Sequence, residues 1–214
     1  MKSQQQHLED LNEIRSLMER SSRFISLSGL SGVFAGIFAL IGAALVYQYL
    51  EVSPFAGQDS YHIAQSGAEK WGLDALTFFL LTAGGVLFLA ISTGIFLTVR
   101  KARKKGQKIW DKLSQRLVVS ALIPLATGGI FCLSLLKYGL FGFVAPATLI
   151  FYGLALVNAS KYTLHDIFYL GLIEIGLGLL ALHFIGYGLD FWAIGFGIMH
   201  IIYGSWMYFK YERA

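Results

Sequence analysis

Two ionisable side chains stand where an apolar sequence has little reason to hold them. Glu174 falls near the middle of an apolar run at 164–187 whose one other acid, Asp166, stands at its start, and His200 near the middle of another run at 191–208. An ionised group at the bilayer centre costs about 2.5–3.5 kcal/mol on insertion scales, so such residues face protein or water and often mark proton or ligand paths. A carboxyl and an imidazole held together can exchange and store a proton. The two runs meet in a tight turn near Gly188 and must be antiparallel. At a rise of 1.5 Å per residue, Glu174 lies about 22 Å and His200 about 17 Å from that turn. Each sits on a glycine stripe at i−3 and i+4: Gly171 and Gly178 around Glu174, Gly197 and Gly204 around His200. Small residues let helices approach closely, so the stripes predict a Glu174–His200 contact. That contact is either a protonatable site or a structural polar clasp.

Other candidates carry less. His183 falls on the opposite side of its run from Glu174 and about 9 Å from the depth of His200, which argues against a bis-histidine haem site. Thr163-Leu164-His165-Asp166 reads as a helix cap with an acid in the first turn. His7 and His62 have no ligand spacing, and one cysteine, Cys132, excludes an intramolecular disulfide and a thiolate cluster. No G-x-S-x-G, H-E-x-x-H or Walker pattern occurs. The expectation is no enzyme, no cofactor and no metal.

The elements that must position these residues follow from composition. Of 214 residues 56% are hydrophobic and 14% charged, against about 25% charged in a soluble domain. About 20 apolar residues cross the hydrocarbon core, and six such runs fall at about 24–50, 75–99, 117–136, 140–158, 164–187 and 191–208. The first begins after a mixed-charge segment and is too long for the apolar part of a signal peptide. The predicted fold is all-α: a polytopic six-helix transmembrane bundle (24–209), an N-terminal amphipathic cytoplasmic helix (1–23) and a short cytoplasmic tail (210–214). Leu8, Leu11, Ile14 and Met18 make the apolar face of that first helix.

Lysine and arginine set the orientation. Residues 100–116 hold eight basic residues and one acid, whereas 51–70 hold one basic residue and three acids. Six spans with both termini in the cytoplasm place 15 of the 17 basic residues inside, leaving Lys70 and Lys137 outside. Arg100, Lys101, Arg103, Lys104, Lys105 and Lys108 are also candidates for contact with lipid headgroups or an acidic partner. The net charge of +4 is thus explained by topology, and no nucleic-acid partner is expected. The partners expected are the bilayer and, as an open alternative, a protein or a second copy. Ser28, Gly32 and Gly36 recur every four residues, a spacing that buries the first span in the bundle or in a dimer. Pro124 and Pro146 read as tolerated kinks at corresponding depths.

The run SSRFISLSGLSGVFAGIFALIGAA at 21–44 resembles the N-terminal signature of a family of uncharacterised bacterial six-span membrane proteins. The resemblance implies the six-helix architecture and a bacterial inner membrane. It supplies no activity, substrate or site residue.

Overall fold

The computed structural model describes residues 28–57, 69–104, 106 and 110–213. The expected amphipathic helix, His7, His62, Lys105 and Lys108 lie outside these residues. The described chain is mostly helical. Five helices are long and apolar enough to cross a membrane. They are α1 (Gly29–Leu50), α2 (Ala75–Lys104), α3 (Lys112–Lys137), α4 (Val144–Ala159, lengthened by a 3₁₀ turn at each end) and α5 (Asp166–His183). A further helix, α6, runs from 188 to 211. It comprises α-helical Gly188–Trp192, a π-helical stretch Ala193–Met199 and α-helical His200–Tyr211.

Local chemistry explains the ends. Helix α1 has no side-chain cap of its own: Ser28 holds the N-cap position without making the cap bond. Its first N–H, on Gly29, donates instead to Glu212 Oε1 at 2.5 Å, and Lys101 Nζ of α2 lies 3.3 Å from the same oxygen. The start of α1 and the end of α6 therefore share one face of the bundle with the basic end of α2. At the other face a two-residue antiparallel pair, Glu69–Lys70 with Leu73–Asp74, precedes α2. It turns through Trp71 and Gly72, both at positive φ, as a tight two-residue hairpin requires. Lys70 pairs with the exposed Glu51 at 2.6 Å. Asp111 starts α3 by accepting from Ser114 N at 2.7 Å, which holds its carboxyl below the usual range.

The helices form two groups. Helix α1 packs on α2 and α6, and α4 packs on α3 and α5, while α2 and α3, consecutive in the chain, have no substantial contact. The first half of α6 meets α4 and α5 and joins the groups. Because α2 and α3 each pack on one neighbour, each carries more exposed large apolar side chains than any other helix, among them Phe88, Phe96, Ile123 and Ile130.

The glycine stripes pack differently from the sequence expectation. A Cβ on Gly171 would meet the backbone of Gly153 and Val157 in α4, and one on Gly178 would meet Pro146 and Ile150, also in α4. Gly204 lies against Gly29, Gly32 and Val33 of α1, and Gly197 faces Leu40 of α1. The two stripes therefore serve the α4–α5 and α1–α6 contacts, not a contact between α5 and α6. Gly32 and Gly36 face Gly204, His200, Gly197 and Ile201, so the small face of α1 is filled from within the chain. Pro146 is the third residue of α4, where its missing N–H has no helical partner to lose, whereas Pro124 lies deep inside α3. The two prolines do not share a depth. The acid expected in the first turn is in place: α5 begins at Asp166, preceded by His165, which makes no side-chain cap bond, and Asp166 accepts from Lys210 Nζ at 2.9 Å and Tyr211 at 2.7 Å.

Candidate functional site

Three helices converge on one buried polar cluster. Glu174, from the middle of α5, is 0% exposed, and His200, where α6 returns from π to α geometry, is 6% exposed. His200 Nδ1 stands 3.4 Å from Glu174 Oε1. The third member, Tyr152, comes from the middle of α4, and its hydroxyl lies 2.7 Å from His200 Nε2.

Hydrogen bonding orders the imidazole. Nδ1 also lies 3.0 Å from the Gly195 carbonyl. A carbonyl only accepts, so Nδ1 carries a proton. In neutral His200 the Nε2 lone pair then accepts from the Tyr152 hydroxyl. In cationic His200 both ring nitrogens donate, and the Tyr152 oxygen becomes the acceptor. The Tyr152–His200 bond thus reverses direction with the charge on the ring. Gly195, which lies in the π-helical stretch, sets the geometry. A Cβ there would collide with Glu174 Oε2 and stand 2.6 Å from Leu149 Cδ2, so only glycine admits the carboxyl to this position. π-Helical stretches commonly accompany functional sites.

The carboxyl itself is the least satisfied group of the cluster. Both Glu174 oxygens are buried, and neither makes a hydrogen bond. The His200 Nδ1 proton points primarily to Gly195, and 3.4 Å is long for a charged pair. A buried carboxyl without a donor or an acceptor is costly in either protonation state, so this residue is held by its surroundings against a local preference.

The sequence missed Tyr152 and Gly195. A tyrosine in the middle of an apolar run, away from the interface where tyrosines concentrate, was an available signal; nothing marked Gly195 among 24 glycines. His183 is exposed, edge-on to Phe184, away from the cluster. Lys101 turns inward to Glu212, while Arg100, Arg103 and Lys104 are exposed at the end of α2. Ser28 is buried and its hydroxyl donates to Glu212 Oε2 at 3.4 Å.

A cleft of about 260 Å³ lies between the α1–α2 pair and the α3–α4 pair, with the first turn of α6 as its back wall. Phe79, Phe141 and Trp192 line it, and no charged residue does. Trp192 packs on Phe196 with ring centroids 5.1 Å apart, and Phe196 packs on Tyr152 at 4.9 Å and on His200 at 5.9 Å. An aromatic stack thus separates the cleft from the buried cluster. No protein-family model, curated protein or solved structure matches the chain.

Proposed function

We propose that the chain is a six-span integral protein of a bacterial inner membrane, with both termini in the cytoplasm and no enzymatic activity. It acts as a sensor or partner subunit whose core packing responds to the protonation of Glu174. The observation that carries this reading is the fully buried Glu174 carboxyl, without a hydrogen bond, 3.4 Å from His200. Ionisation of Glu174 together with protonation of His200 at Nε2, the ring nitrogen that faces Tyr152 and carries no proton in the neutral ring, converts a neutral acid and a neutral ring into an ion pair without changing net charge. The conversion reverses the Tyr152–His200 bond and draws Nδ1 from Gly195 toward Glu174. Both movements act at the junction of α4, α5 and α6, where the two helix groups meet.

Support for the topology comes from the ends. The segments of α6 hold 5, 7 and 12 residues, a length of about 36 Å against a hydrocarbon core of about 30 Å. An even number of spans brings the chain back to the side where it entered, in keeping with the bond from Gly29 N to Glu212. Lys101 lies on the same face, and the positive-inside rule makes that face cytoplasmic.

A small proton-coupled carrier using the same Glu174–His200 pair is the second reading, favoured by the cleft beside the cluster. Carbodiimide labelling of Glu174 in native membranes across pH, followed by mass spectrometry, tests the proton site that both readings share. Labelling that falls as pH rises is expected, because the reagent needs a protonated carboxyl. No labelling at any pH, with the Glu174 peptide recovered, refutes it and leaves a sealed structural clasp.

A further inference from the structure

The cleft and its surroundings differ in electrical character from the rest of the bundle. Its lining is uncharged and presents three aromatic rings, Phe79, Phe141 and Trp192. Outside the lining, between the lining residues Leu189 and Trp192 in the first turn of α6, stands Asp190, 5% exposed. Asp190 Oδ1 accepts from the Tyr47 hydroxyl of α1 at 2.5 Å and from the Phe55 backbone N–H of the following loop at 2.8 Å. Among the described residues no lysine, arginine or histidine pairs with it. A carboxylate held by two neutral donors keeps most of its field, and a low-dielectric wall carries that field into the adjoining space.

We propose that this cleft binds an apolar organic cation, held on the faces of Phe79, Phe141 and Trp192 and drawn in by the Asp190 carboxylate. Aromatic faces attract cations through their quadrupole, and the apolar lining demands that the charge be carried on a hydrocarbon body. About 260 Å³ sits near the lower end of small-molecule sites, so the ligand is compact. The occupant is thereby distinguished from a lipid acyl chain, which the apolar walls would accept but the buried carboxylate would not select.

The cleft also reaches the proton site through the Trp192–Phe196–Tyr152 stack, and this part rests on the protonation reading of Glu174. The groups facing Glu174 are His200 from α6 and Tyr152 from α4; those facing Asp190 are Tyr47 from α1 and the Phe55 N–H. When the cation enters, the Glu174 proton leaves for water, so the charge within the bundle is conserved.

The test is isothermal titration of the full-length protein in zwitterionic micelles with phenyltrimethylammonium and with benzenesulfonate, which has nearly the same size and the opposite charge. Saturable binding of the cation alone is expected. It should weaken about tenfold or more in Asp190→Asn and Trp192→Leu, in line with the strength of buried cation–π and charge contacts. Asp190→Asn keeps an acceptor for Tyr47 and Phe55 and so preserves the fold. Ala83→Phe, which fills the cleft from the lipid-exposed helix α2, should also weaken it, whereas Leu81→Phe, on the opposite side of α2 and 61% exposed, should not. Absence of saturable cation binding overturns the proposal. So does equal binding of both ions, which describes a charge-blind slot for lipid chains, or binding indifferent to Ala83→Phe. Binding that appears only as the protein is diluted overturns it too, and assigns the cleft to a second copy. Proton release on cation binding, lost in Glu174→Gln, separates the two claims. Charge-selective binding without proton release sinks the coupling to Glu174 and leaves the cation site. Titrating carbodiimide labelling without cation binding does the reverse.

Discussion

Replacing Gly204 by alanine tests the packing that carries His200. A Cβ at this position would stand 2.5 Å from Val33 N and 2.7 Å from Gly29 O. Both are backbone atoms of a helix and cannot rotate away. Ordinary contact begins at 3.4 Å, so α1 and α6 must separate by about 1 Å, which loosens the whole glycine seam they share. Overpacking of this kind costs about 1–3 kcal/mol. The helical preference of alanine over glycine returns up to about 1 kcal/mol, leaving a net loss of about 0–3 kcal/mol. Gly84 in α2 provides the matched control: a Cβ there would meet nothing within 4 Å. Gly84→Ala should therefore gain up to about 1 kcal/mol from propensity alone. The same chemical change is thus expected to differ by about 1–3 kcal/mol between the two sites. Thermal unfolding of both variants in one detergent, with the wild type alongside, reads that difference. Gly204→Ala as stable as Gly84→Ala would refute the assignment of the stripe to the α1–α6 contact.

Two further outcomes follow from named groups. Tyr152→Phe removes the hydroxyl facing His200 Nε2 and leaves a buried ring nitrogen without a partner, at about 1–3 kcal/mol. A lower unfolding temperature with a shifted pH profile of Glu174 labelling is expected, whereas a variant identical to wild type in both would show that the hydroxyl plays no part. Asp111 governs the start of α3. The Ser114 N–H and hydroxyl hold its carboxyl below the usual range, so its contribution is present above the unfolded value near 4 and is lost as pH falls through the lower folded value. Asp111→Ala should cost about 1 kcal/mol at neutral pH, as loss of a cap does, and nothing in strong acid. Equal loss at both pH values, by unfolding in detergent, would remove the charge from the explanation.

The sequence was most legible where the solvent dictates composition. Lipid offers no hydrogen bonds, so a span must hold about 20 apolar residues and satisfy its backbone as a helix. The five long apolar helices follow from that demand. Glu174 and His200 stood out for the same reason, since a charge in that medium needs a partner. What the sequence left open is which surfaces meet. Gly171, Gly178, Gly197 and Gly204 mark close approach, but a glycine places no condition on which helix comes near. Proximity in the chain favoured α5 against α6; the structure spends those glycines on α4 and α1. Glu174 and His200 are brought together by Gly195, where the π stretch of α6 turns His200 toward α4 and α5.

From the sequence alone come the apolar helices, the charge asymmetry between the two ends of the bundle, and the two ionisable residues out of place. Their basis is transfer between water and lipid, a property each segment carries by itself. Only the tertiary structure decides that Tyr152 completes the cluster, that Glu212 caps α1 from the far end of the chain, that Asp190 stands beside an aromatic cleft, and that α2 and α3 remain apart. These depend on the relative placement of helices distant in sequence, which in lipid is set by the fit of surfaces against one another and not by hydrophobicity.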